Sequence, residues 1–298
     1  MNNSENLRKV LESKSIVKVC GAYDSMSAKL VEIYGFDAVW AGSFAISAIH
    51  AVPDASILTM TEFFDAASNM AETCKIPVIA DCDTGYGGPS NVSHMTKKYE
   101  NAGIAAICIE DKTFPKQNSL LKNGQNDLIS EKEFVAKIIA AKEAKQDEAF
   151  TVIARIEAFI SGMGLEQALK RAYAYEKAGA DLILIHSNKI TPEEIFEFSD
   201  SWKGSTPLVV IPTTYYSVNV DELIEHKIKM VIYANQTLRA AHFALSKLLG
   251  QMTDANNMSQ FQNQMSSMDD IFKLQKMYDL KSQEKSIEEK LQKLGYIS

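Results

Sequence analysis

The chain has 298 residues, 46% hydrophobic and 23% charged, with a formal net charge of −7. That length suits one α/β barrel of ~250 residues plus an extension, or two ordinary domains. The acidic balance disfavours nucleic-acid binding through phosphate neutralisation. The polar start MNNSENLRKVLESKS has no apolar signal core, and no run reaches the ~18–20 apolar residues of a membrane span, so a cytoplasmic location is expected.

Short apolar runs alternate with amphipathic helical stretches along the chain. The first run, 16–24, precedes a helix over 25–34. The run 37–42 comes before a helix over 61–74, and 76–83 before one over 90–102. A long polar loop, 111–130, follows the run 105–111 and leads to a helix over 131–145. Then come 151–159 with a helix over 164–178, 181–186 with one over 192–199, 207–213 with one over 220–226, and 229–235 with one over 237–250. Near-continuous apolar strands imply burial on both faces of a parallel sheet, and their alternation with helices implies βαβ units. Eight such units indicate a closed (β/α)8 barrel, with a doubly wound open sheet as the other arrangement. Gly35, Gly103 and Gly179 each follow a helical stretch, as C-capping glycines do.

From 251 onward the composition changes to Gln, Asn, Met, Ser and Lys with no strand pattern. Ile271, Leu274, Met277, Tyr278 and Leu280 keep helical spacing. The expected organisation is a barrel over 1–250 and a helical extension over 251–298, packed on a partner subunit or on its own barrel. Cys20, Cys74, Cys82 and Cys108 contain no CxxC pair and read as small buried residues.

A barrel builds its site at the C-terminal ends of its strands. The polar residues placed there are Asp54, Asp81, Asp83, Glu110, Asp111, Arg155, Glu157, His186 and Asn235. Asp81 and Asp83 lie two apart, so strand alternation turns both to one side. Carboxylates brought that close repel unless a cation or a proton sits between them. With Glu110 and Asp54 they form a hard oxygen set suited to Mg²⁺ or Mn²⁺. Because Mg²⁺ keeps several waters, Asp81 is expected as a direct ligand and Asp83, Glu110 and Asp54 mostly through water. Arg155 and His186 end the fifth and sixth runs, where they face an anion. Cys82, between the two aspartates, points into the core. The loop 111–130 has the length of a functional lid and carries Lys116, Asn118 and Ser119.

The segments DCDTGYG, IEDKTFPKQNSL, ARIEAFISGMGLEQALKRAYAYEKAGAD and VVIPTTYY closely resemble the phosphoenolpyruvate mutase family of the isocitrate lyase superfamily, from about residue 16 to 250, with IFKLQ similar in the tail. The resemblance implies a (β/α)8 barrel with a C-terminal helix exchanged between subunits in a dimer or homotetramer. It implies Mg²⁺-dependent interconversion of phosphoenolpyruvate and phosphonopyruvate in phosphonate biosynthesis, coupled to a phosphonopyruvate decarboxylase or similar step. It puts the metal at Asp81, Asp83 and Glu110, with the loop aspartate at Asp54. Arg155 and His186 bind the phosphoryl group, and Lys116, Asn118, Ser119 and Leu120 belong to the gating loop. The family reads Trp-x-Ser-Gly after the second strand. Here Trp40, Ala41, Gly42, Ser43 and Phe44 follow one another, so glycine and serine are exchanged. The hydroxyl is lost at 42, and the Ser43 and Phe44 N–H groups are left to hold a carboxylate.

Other readings differ by particular residues. Phosphonopyruvate hydrolase shares the metal site but typically carries threonine where Asn118 stands. A carbon–carbon lyase needs a lid cysteine in a KKCGH-like segment, whereas this stretch reads KTFPK. Oxaloacetate decarboxylase belongs to the same superfamily. A non-catalytic binding protein would have lost metal or lid residues.

Overall fold

In a computed structural model, described for residues 2–124 and 126–297, eight parallel strands close a barrel in the order of the sequence. The elements of the barrel run α1 (Asn3–Ser13), β1 (Val17–Ala22), α2 (Ser25–Ile33), β2 (Ala38–Ala41), α3 (Ser43–Ile49), α4 (Met60–Thr73), β3 (Val78–Asp81), α5 (Pro89–Asn101), β4 (Ala106–Glu110), α6 (Glu131–Ala144), β5 (Thr151–Ile156), α7 (Gly164–Lys177), β6 (Leu182–Ile185), α8 (Glu193–Ser201), β7 (Leu208–Val210), α9 (Val220–Glu225) and β8 (Ile228–Tyr233). Then follow α10 (Gln236–Met252), a short 3₁₀ turn (Ser259–Gln264), α11 (Met268–Leu274) and α12 (Met277–Lys293). The chain divides into two compact units, 1–239 and 240–298. The closed sheet establishes the barrel over the open alternative; seven of the expected runs contain a shorter strand, and the eighth strand begins at Ile228, one residue before its run.

Strand alternation sorts the side chains into two cores. Val19, Trp40, Ile79, Cys108, Ile153, Leu184, Val209 and Ile232 fill the barrel interior. Cys20, Val39, Ala80, Ile107, Ala154 and Ile183 face outward and pack under the surrounding helices. Both faces of every strand are thereby covered. All four cysteines are buried free thiols, and Cys82 lies in the outer core.

Two helices extend the sequence reading. α1 begins with a capping box in which the Asn2 side chain and Glu5 satisfy each other's backbone N–H groups. Its Leu7 and Leu11 sit one turn apart and join the barrel-interior core. Asn3 and Asn6 donate to the carbonyls of Gly103 and Lys75, and Arg8 donates to Ala149 O and Asp181. Those partners precede four successive strands, so α1 stoppers the N-terminal end of the barrel. α3 starts directly after β2, with Gly42 as its N-cap. At 268–293 the expected helical stretch is two helices, broken where Lys276 takes a left-handed φ of 56°.

Candidate active site

The inward parity that fills the barrel core continues upward into the site. Above Ile79 stands Asp81, above Cys108 stands Glu110, above Ile153 stands Arg155, and above Leu184 comes His186. Glu110 and Arg155 are register partners on β4 and β5. The same alternation that buries the core therefore delivers acids and bases to one chamber at the C-terminal face.

On one side the carboxylates converge. Asp81 Oδ2 accepts from Ser43 Oγ at 2.9 Å and Ser43 N at 3.3 Å, and its Oδ1 accepts from Asp83 N at 3.3 Å. Lys116 Nζ reaches down from the loop 111–130 to lie 2.8 Å from Asp83 Oδ1 and 3.0 Å from Asp54 Oδ1. It also donates to Ser43 Oγ at 3.2 Å. Asn118 Nδ2 donates to Asp54 Oδ2 at 2.7 Å. Burial raises Asp83 to about 6, against the pull of Lys116. Burial likewise raises Glu110 to about 7, opposed by Arg155. At Asp54 burial works in the same direction, but the Lys116 ammonium and the Asn118 amide outweigh it and hold the carboxyl below its ordinary value.

On the other side lies an arginine–histidine pair organised by Glu157. Arg155 Nε donates to Glu157 Oε1 and stands 3.4 Å from Glu110 Oε2. Arg155 Nη2 is 3.0 Å from His186 Nδ1, which is itself 2.9 Å from Glu157 Oε1. Arg155 only donates, so Nδ1 either accepts from it or gives a proton to Glu157, one at a time. Burial holds His186 below its ordinary value, opposed by Glu157. Burial pushes Glu157 upward, but Arg155 and His186 reverse this and leave it well below the carboxylate range.

Five carboxylates (Asp54, Asp81, Asp83, Glu110, Glu157) face three basic side chains (Lys112, Lys116, Arg155), all buried or nearly so. Glu110 Oε1 is buried and accepts no hydrogen bond. Among the described residues no three Asp, Glu, His or Cys side chains are placed to hold an ion directly. Instead, the Lys116 ammonium bridges Asp54 and Asp83. An all-oxygen set with excess negative charge and one orphaned oxygen fits a hard cation that keeps much of its water.

The remaining sequence candidates separate. Ser43 is buried beside Asp81, and Ser119 Oγ donates to Glu157 Oε2 at 2.9 Å. Trp40 lies in the barrel core, as a floor below the polar layer. A Cβ on Gly42 would stand 2.8 Å from Trp40 Nε1, so the indole uses the space that glycine leaves. Phe44 and Leu120 are 41% and 38% exposed, and the structure does not bring their side chains into the chamber. The Leu120 N–H donates to Asn118 Oδ1 at 3.0 Å and so helps aim that side chain. Two groups prove central that the sequence reading gave no role, Glu157, which it placed at a strand end, and Lys112, which it did not single out. Glu157 links Arg155 and His186, and Lys112 lies buried beneath the lid. Glu157 continues the parity of Arg155, a signal available in the sequence, whereas Lys112 enters through the fold of the loop.

The lid is anchored at both ends. Lys112 pairs antiparallel with Leu128, and Ile129 N donates to Asp111 O. Arg171 and Tyr175 of α7 bind Asp111 Oδ2 at 2.9 and 2.7 Å, and Arg171 Nη2 also holds Ile129 O. On the opposite edge the DTGYGG turn holds Asp83, Gly85, Tyr86 and Gly87 at positive φ. Lys137 of α6 steadies it by donating to Thr84 O at 2.7 Å.

Fold and chamber together define a (β/α)8-barrel enzyme with an acid-rich, lid-covered site at its strand ends. The chain belongs to the phosphoenolpyruvate phosphomutase family, whose model matches residues 7–253. Phosphonopyruvate hydrolase from Variovorax sp. (strain Pal2) is 41% identical over 92% of this chain and 95% of its own. The crystal structure of phosphoenolpyruvate phosphomutase from Streptomyces platensis subsp. rosaceus matches with a TM-score of 0.94 and 42% identity, over 95% of this chain and 99% of that one. A phosphonopyruvate hydrolase structure with oxalate and Mg²⁺ matches with a TM-score of 0.89 and 39% identity, over 95% and 98%.

Proposed function

We propose that this chain interconverts phosphoenolpyruvate and phosphonopyruvate, moving a phosphoryl group between the enol oxygen and C3 of one pyruvate unit. The observation that carries the reading is Asn118 on the covering loop, its amide donating to Asp54 inside the chamber. The hydrolase of the same family typically has threonine there. Arg155 and His186 would take the phosphoryl oxygens, and their preorganised donors stabilise a loose, metaphosphate-like transition state. The covering loop keeps water from capturing the group. Asp81, Asp83 and Glu110, with Asp54 behind them, would hold Mg²⁺, which supplies polarisation and orientation of the enolate oxygens. Mn²⁺ would substitute in the same oxygen set. The carboxylate end would meet the backbone N–H groups of Ser43 and Phe44, since the Ser43 hydroxyl is given to Asp81.

The hydrolase reading stands beside it, favoured by the 41% identity to that relative. Phosphorus NMR of phosphonopyruvate with the protein and Mg²⁺ separates the two. Phosphoenolpyruvate as product supports the mutase; phosphate with pyruvate refutes it. Asn118→Ala is expected to lower kcat about 10²–10³-fold, as loss of one transition-state donor does, while Mg²⁺ affinity is retained. Formation of the P–C bond is uphill, so a decarboxylase or another committing step would consume the product. The chain would act as a homo-oligomer, a dimer or tetramer, with the segment after 250 packed on a neighbouring copy.

A further inference from the structure

We infer that Lys112 and Glu157 are positioning residues that latch the lid and tie its closure to the phosphoryl-binding pair. The inference rests on the proposed phosphoryl transfer for its catalytic consequence only. Lys112 is 1% exposed. Its ammonium donates to Gln117 O at 2.5 Å and to Ser119 Oγ at 3.2 Å, the two residues flanking Asn118. A buried ammonium is costly to leave without hydrogen bonds, so it grips the lid on both sides of Asn118, whose amide reaches Asp54 alongside Lys116. Ser119 Oγ, accepting from Lys112, donates its own O–H to Glu157 Oε2. Glu157 is fully buried and holds Arg155 and His186 on its other oxygen. A continuous chain of hydrogen bonds thus runs from the lid tip through Ser119 and Glu157 to the two groups that would receive a phosphoryl anion.

When the lid is down, Ser119 fixes the second oxygen of the Glu157 carboxylate that aims Arg155 and His186; when it lifts, Glu157 loses that donor and holds the pair less firmly. Loosening the latch should also admit water. The side reaction is then hydrolysis: a water oxygen bonds to phosphorus, the P–C bond breaks, and C3 of the released pyruvate takes a proton.

The test uses the full-length protein and two variants. Lys112→Met keeps the aliphatic bulk, and Ser119→Ala deletes one hydroxyl, so at least one is expected to fold. Amide hydrogen exchange is measured without substrate. The lid peptide over 113–124 should exchange at least tenfold faster in both variants, with α6 and α7 unchanged, and Ser119→Thr should restore protection. Unchanged lid exchange in a folded variant overturns the latch. In the second arm, phosphorus NMR of phosphonopyruvate turnover should show the phosphate-to-phosphoenolpyruvate ratio rising several-fold in both variants. If wild type yields phosphate alone, the mutase reading fails while the exchange arm still decides the latch.

Discussion

Gly42 and Gly21 show how single positions set the limits of the site. At Gly42 a side chain would meet the Trp40 indole, whose Nε1 lies 2.8 Å from the would-be Cβ. At Gly21 it would meet the Ala234 carbonyl oxygen at 2.0 Å, where β1 and the end of β8 press together. An indole can tilt, whereas a strand backbone cannot withdraw without disturbing its ladder. Gly42→Ser, which restores the hydroxyl the family carries, is therefore expected to cost about 1–3 kcal/mol, and Gly21→Ala to lie at or above the upper end of that range. Urea unfolding of the two variants side by side checks the order; an equal loss would contradict it. The exchange of glycine and serine also gains a structural sense. Ser43 Oγ, one residue along, already binds Asp81 and Lys116.

Among the elements, the two ends of the barrel are held by separate charge networks. At the N-terminal end Asp181, just before β6, accepts from Arg8 of α1 at 2.7 Å, Lys142 of α6 at 2.8 Å and Val152 N of β5 at 2.9 Å. Burial would raise this carboxyl, but those donors outweigh it and hold it below its ordinary value. A carboxyl depressed by folding adds stability that is complete above its unfolded pKa, ~3.9, and fades as pH falls through the lower folded value. Asp181→Asn should lose about 1–3 kcal/mol at pH 7. The gap to wild type should narrow below pH 4, as read by denaturant unfolding at both pH values. A gap that stays constant with pH would reject this account.

These elements also show what the sequence made legible. Period-2 alternation places Asp81, Glu110, Arg155 and His186 correctly because the rule that buries Ile79, Cys108, Ile153 and Leu184 is the same rule two residues on. α1 is invisible to a reading that looks for a signal core in a polar start, although the Asn2–Glu5 capping pair and the Leu7–Leu11 spacing were present. Lys112 is hidden for another reason. A lysine in a polar loop reads as solvated, and only the antiparallel pairing of Lys112 with Leu128 folds it under the lid. Leu120 is the converse case, since its chain position adjoins the site while its side chain faces solvent.

At the scale of the whole molecule, the barrel unit has two cores and the C-terminal unit has almost none. Among its described residues only Phe261 is buried, while Phe243, Leu245, Leu249, Tyr278, Leu280 and Ile287 are exposed on α10 and α12. Helices with an apolar stripe left open need another surface to cover it. The full chain, 33.0 kDa as a monomer, is expected to sediment at two or four times that mass. Analytical ultracentrifugation across a wide concentration range checks this, and a persistent monomer would count against an exchanged extension.

Lys116 belongs to the loop that covers the site, not to the barrel frame. Any excursion of the loop withdraws one positive charge from between Asp54 and Asp83, so the vacated bowl becomes more negative at the moment a ligand could enter. Such a field attracts cations and repels anions. Loading would then follow a fixed order, with the inorganic counter-charge admitted ahead of the organic acid.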